Sequence, residues 1–219
     1  VLFRSLSITE HHKVIADMGL AAINLIGVII AIFVGISLVN KEIERRTIYT
    51  IMARPISRAS FIMGKYLGLA LTLFVNMAIM LAVFLLTLWL NHVPIQPSIF
   101  QAVALIFVEI LVVTAIALFF STFTSTTLSA IFTLGFYVIG HLTADLRSMV
   151  ANSDSGPIKS LMDLFYYLCP NLDVLNIKGQ AAVGVTAAPE YVMQASLYGV
   201  MYAGVLLIGA CLVFQQRDF

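Results

Sequence analysis

Charge is what this sequence has least of. Only 11% of its 219 residues are Asp, Glu, Lys or Arg, against 61% apolar residues. That is too little to give a soluble domain its polar shell. With a mean hydropathy of +1.01, most of the chain must have lipid as its solvent. A net charge of +1 excludes a long surface of one sign, and with it a nucleic-acid partner or a dedicated site for an acidic substrate. Cysteine is scarce too. Cys169 falls in a polar loop and Cys211 in an apolar run, which excludes a disulfide framework and leaves both thiols unpaired. The opening VLFRSLSITEHHKVIADM has neither the basic start nor the cleavage region of an export signal.

Catalytic patterns are missing as well. No Ser-His-Asp or paired-carboxylate arrangement emerges, so no enzyme site is expected. Gly64 and Lys65 resemble the end of a phosphate-binding loop. However, Ala59 stands where the first glycine of GxxxxGK[ST] belongs, and Tyr66 replaces the hydroxyl that would hold magnesium. Adjacent His11 and His12 have Glu10 and Asp17 nearby but lack the ligand spacing of a structural or catalytic metal site. A solvated loop is expected there, and no metal.

Long apolar runs are what the sequence does have. A bilayer core of about 30 Å needs roughly 20 residues at a rise of 1.5 Å each. Five runs qualify: 19–39, 62–90, 100–120, 126–144 and 195–214, the fourth being Leu128 to Leu142 extended by Thr126, Thr127, Thr143 and Ala144. None alternates as barrel strands do, and only helices satisfy their own backbone in lipid. The expected fold is therefore all-α, a polytopic helical bundle forming one transmembrane domain over 1–219.

Half of the twelve Lys and Arg (Lys41, Arg45, Arg46, Arg54, Arg58 and Lys65) lie between the first two runs. Basic loops stay in the cytoplasm. Alternation then puts 91–99 and 145–194 outside, and 121–125 and the terminal QQRDF inside. All four histidines, His11, His12, His92 and His141, map to the outer side or the outer end of a span. The amino terminus also falls outside, which predicts a further, sixth helix upstream of Val1. In the outer segment 145–194, PIKSLMDLFYYL (157–168) has apolar residues at helical spacing and reads as an amphipathic helix lying on the membrane. It ends at the breaker cluster Cys169, Pro170 and Asn171.

Polar residues inside the runs are few. Glu109 lies near the middle of the third, where a charge costs on the order of 2.5 to 3.5 kcal/mol. It reads either as a proton or substrate contact in a translocation path, or as a carboxyl joining helices through Asn76 or Asn24. As the one acid with no basic partner in any span, it makes a poor relay. Asn24 and Asn76 by themselves read as packing glue between helices. Gly27, Ala31 and Gly35 recur every four residues and make one small-residue ridge.

The loop at 40–61 holds the densest charge of both signs. Ile43, Ile48, Ile51 and Met52 can share one side of a short helix that Pro55 limits, with Glu42, Glu44, Arg45 and Arg46 near its start. Such a helix suits a cytoplasmic protein surface; the alternative is a loop that only sets topology and meets lipid phosphates.

The run LVNKEIERRTIYTIMARPISRASFIMGKYLG, Leu38 to Gly68, resembles the signature loop of type 2 ABC permeases. The segments YYLCPNLDVLNIKG and LVFQQRDF are similar to the branch that includes the nitrous-oxide-reductase maturation and gliding-motility permeases. The resemblance implies a membrane subunit whose loop carries a coupling helix seated on a separate cytoplasmic ABC ATPase, with ATP and Mg on that partner. Lys41, Glu42, Ile43, Glu44, Arg45, Arg46, Thr47 and Ile48 would face the ATPase. Arg54, Pro55, Ser57 and Arg58 would form the turn, with Gly64 and Lys65 at the foot of the next helix. A homodimer in the cytoplasmic (inner) membrane is also implied, together with an extracytoplasmic accessory protein. Two other readings stay open: a secondary transporter, which should show repeats and broken helices, and a force-transmitting anchor acting on an outer protein.

Overall fold

The computed structural model describes residues 2–44, 58–151 and 169–215, with side chains described over 12–36, 59–142 and 169–214. Six helices and one 3₁₀ turn are present among these residues, and no strand. They are α1 (Leu2–Glu44), α2 (Arg58–Leu90), α3 (Pro97–Ser121), α4 (Thr126–Ala151), the 3₁₀ turn Leu172–Leu175, α5 (Lys178–Ala182) and α6 (Pro189–Gln215). The all-α bundle expected from the apolar runs is what the chain builds.

Four stretches are long and apolar enough to span a bilayer: His12–Ile36, Ala59–Leu90, Pro97–Ser121 and Pro189–Phe214. The apolar part of α4, Thr126–Leu142, is shorter. Of the helices that begin earlier than their apolar runs, two start on a proline, at Pro97 and Pro189. A proline in the first helical turn forfeits no internal hydrogen bond and presets φ, so these helices start where the proline is and not where the hydropathy rises. The amphipathic helix expected at 157–168 lies outside the described residues.

The bundle is organised around α3, which packs against α1, α2, α4, α6 and both short elements. Val112 to Leu118 are buried on every face, as a helix that is apolar all round requires. By contrast, α2 and α6 bury only 22% and 28% of their apolar windows, against 72% for α3. Their exposed faces carry Leu67, Leu71, Trp89, Met201, Val205 and Ile208, a surface that only lipid or another apolar partner can cover.

The small-residue ridge of α1 is where it approaches α3. A Cβ added to Gly27 would collide with Ile110, Ala31 is fully buried, and a Cβ at Gly35 would sit 3.4 Å from that of Ala117. At the opposite end of the bundle, α2 closes with a Schellman cap. Val93 N–H donates to Leu88 O at 2.9 Å and His92 N–H to Trp89 O at 3.1 Å, with His92 at φ 55° in the position glycine usually takes.

The segment after Pro170 does not stay outside the bundle. Leu172 and Leu175 are fully buried; Leu172 packs on Gly140 of α4, and Leu175 on Gly199 of α6, which also faces Val108. Val108 lies ten residues into α3 from Ser98, about 15 Å along the helix, and the Leu175 side chain reaches toward that level. The chain then climbs back out. Ser98 Oγ donates to Ala181 O at 3.2 Å, and Gln101 exchanges two bonds with Ala187 at 3.3 and 3.0 Å. Gly184, at φ +79°, presses against the Gln96 side chain where no Cβ fits. Non-helical backbone at this depth is tolerated because protein, not lipid, surrounds it. Over 170–188 the chain thus re-enters the helix bundle before α6 begins.

Candidate functional site

Asn24 and Glu109 occupy the middle positions of His12–Ile36 and Pro97–Ser121. Both are buried, Asn24 at 1% exposure and Glu109 at 0%. The ridge that draws α1 onto α3 sets Asn24 one turn from Gly27, so its amide reaches Glu109. Asn24 Nδ2 donates to both carboxyl oxygens, at 3.3 Å to Oε1 and 3.2 Å to Oε2. Asn76 takes no part: its Nδ2 donates to Thr72 O within α2 at 2.9 Å.

Counting along the sequence places His141 at the outer end of its run, yet the structure brings it to Glu109. His141 Nε2 stands 3.2 Å from Glu109 Oε1, within ion-pair range but off the line of a ring N–H hydrogen bond. The reason is the short turn between α3 and α4: Glu109 lies twelve residues before Ser121 and His141 fifteen after Thr126, so the two helices bring them within about 4.5 Å in depth. Glu109 therefore has a basic neighbour, contrary to the expectation of an acid alone. Tyr137, one turn before, stacks on the imidazole with centroids 4.7 Å apart. Lys178, at the start of α5, acts electrostatically on Glu109 and His141, and Asp173 acts on His141.

The cluster thus joins three helices and the re-entrant segment. It is incompletely satisfied: among the described residues, Asn24 Oδ1 and both His141 nitrogens lie buried without an aligned hydrogen-bond partner. No group of three or more His, Cys, Asp or Glu placed to hold a metal occurs among the described residues. Cys169 and Cys211 are free, and burial pushes the Cys169 thiol above its ordinary pKa.

The loop residues singled out from sequence are placed only in part. α1 continues as helix past Ile36 through Lys41, Glu42, Ile43 and Glu44, about 12 Å beyond the apolar stretch at 1.5 Å per residue. Arg45, Arg46, Thr47, Ile48, Arg54, Pro55 and Ser57 lie outside the described residues, and Arg58 opens α2. Gly64 is exposed and has open space where a Cβ would be. Lys65 sits 5.5 Å over the Phe61 ring, and Phe61 stacks on Phe214 of α6. The hydroxyl run between α3 and α4 closes its turn internally. Ser121, Thr122 and Thr124 bond back to Leu118 O, Phe119 O and Phe120 O at 2.7, 2.6 and 2.8 Å.

A family model described as ABC-2 family transporter protein matches residues 1–219. The chain belongs to that family. It is a multi-pass membrane protein and the membrane component of an ABC transporter. No curated protein matches it. Among the residues of this ABC-2 chain, sequence reading found Glu109 and Asn24 but missed His141, Lys178 and the re-entrant turn. The available signal was the series Leu172, Leu175 and Ile177, whose apolar residues recur at two- and three-residue intervals just after a proline.

Proposed function

We propose that this chain couples ATP hydrolysis on a separate cytoplasmic ATPase to export or translocation across the cytoplasmic membrane. Its match to the ABC-2 family over all 219 residues carries this reading. The coupling surface is Lys41 to Ile48, with Arg54, Pro55, Ser57 and Arg58 forming the turn into α2. Helical backbone continues past the lipid-facing stretch as far as Glu44, which supports a rigid arm able to pass motion into α1. Since α1 packs along α3, a push on that arm reaches the centre of the bundle. ATP and magnesium stay on the partner, because the Gly64-Lys65 pair lacks both the first glycine and the hydroxyl of a phosphate loop. Two copies form the working permease, their exposed apolar faces covered by each other and by lipid.

Affinity purification of the tagged chain tests the coupling surface. The wild type is expected to bring down an ABC ATPase, and the triple variant Glu44→Ala, Arg45→Ala, Arg46→Ala to lose it. Undiminished recovery of the ATPase by the triple variant would refute this contact.

A further inference from the structure

We infer that Glu109 and His141 form a proton-binding site at mid-bundle depth, holding one exchangeable proton between them while Asn24 orients the carboxyl. The inference concerns ligand binding within this chain and does not rest on the ATPase reading.

Size selects the ligand. Glu109 has 0% exposure, so nothing as large as a water molecule touches its carboxyl. A proton is the one ligand that joins it without opening the bundle. The partner is His141, whose Nε2 lies 3.2 Å from Oε1; its ring nitrogens are themselves buried, so the proton is held between two enclosed groups. Charge selects the same ligand. An unshared carboxylate at this depth is expensive, and a pair holding one proton stays net neutral on whichever partner the proton rests. The polar atoms of Asn24 and His141 left without aligned partners mark a network that packing alone does not complete.

The surrounding groups come from every neighbouring element. Asn24 faces the carboxyl from α1, and Tyr137 and His141 face it from α4. Asp173 and Lys178 belong to the re-entrant segment. Tyr66 of α2 turns to Leu111 O at 3.3 Å. On α6, Tyr198 accepts from Asn171 N–H at 2.8 Å, and Tyr202 lies near Tyr198. In the transfer, the Nε2–H bond breaks as an Oε1–H bond forms. Imidazolium becomes imidazole and carboxylate becomes carboxylic acid, so total charge is conserved. A small turn of the ring brings the N–H onto the line. Through Lys178 and Asp173, the location of the proton also bears on the re-entrant segment.

Infrared difference spectroscopy of the full chain in phosphatidylcholine nanodiscs, titrated with acid in H₂O and in ²H₂O, tests the site. The wild type is expected to gain a deuterium-sensitive carboxylic C=O band that Glu109→Gln lacks. In His141→Gln the midpoint of that band should move by about one pH unit or more, a tenfold change in proton affinity. A band that survives Glu109→Gln, a midpoint unmoved by His141→Gln, or no titrating carboxylic band at all would overturn the proposal. The His141→Gln comparison decides alone if Glu109→Gln does not fold. No ATPase takes part, so this result and the coupling test fail independently.

Discussion

At the residue scale, the chain concentrates its polarity in a few side chains and buries them together. Asn24 Nδ2 donates to both carboxyl oxygens of Glu109, replacing hydrogen bonding that lipid cannot offer. Asn24→Ala should therefore destabilise the bundle by about 1–2 kcal/mol, read as an earlier midpoint in detergent-driven unfolding. Asn76→Ala serves as the control, since Asn76 bonds only within its own helix, and should shift the midpoint by less than half as much. Cys169 makes a different prediction. Burial favours its neutral thiol, so stability tied to this group is present below the ordinary thiol range and declines as pH rises through it. In a Cys211→Ala background, alkylation of Cys169 at mildly alkaline pH should be slow in the folded protein and rapid after denaturation. Equal rates in both states would contradict its placement.

At the element scale, contact between α1 and α3 decides where the polar cluster forms. Gly27→Val drives two methyl groups into Ile110 and should cost about 1–3 kcal/mol of stability. Gly68→Val on α2 meets open space and should leave the unfolding midpoint nearly unchanged. The cap at His92 offers the opposite sign. His92 holds φ 55°, which glycine adopts without a Cβ penalty, so His92→Gly should be neutral or stabilising by up to about 1 kcal/mol.

The ridge at Gly27, Ala31 and Gly35 was legible because helical spacing alone puts those residues on one face. The partner of Glu109 was legible only as a choice between two asparagines, because nothing along the chain says which helix lies against α3. His141 was missed because its place was counted within its own short apolar run. Counted from the turn between α3 and α4, it lies within three residues of the depth of Glu109. The re-entrant turn escaped for a related reason: an apolar series this short reads as surface until a tertiary notch receives it.

At the scale of the whole molecule, the order of apolar runs foretold an all-α membrane bundle, since in lipid a long apolar segment has few alternatives to a helix. What it could not foretell was which helix is central, a matter of packing all round and not of hydropathy. Among the described residues, α1 links the proposed coupling arm to the polar cluster. α1 runs from the helical stretch ending at Glu44 to Asn24, and Asn24 holds Glu109 at the core. The central claim is that ATP hydrolysed on a separate subunit is felt through this loop. The most direct measurement is the ATP hydrolysis rate of the partner ATPase in vesicles reconstituted with this chain. The wild type should raise that rate above the ATPase alone, and the variant with Glu44, Arg45 and Arg46 replaced by Ala should return it to that level. Equal stimulation by both proteins, or none by the wild type, would contradict the account.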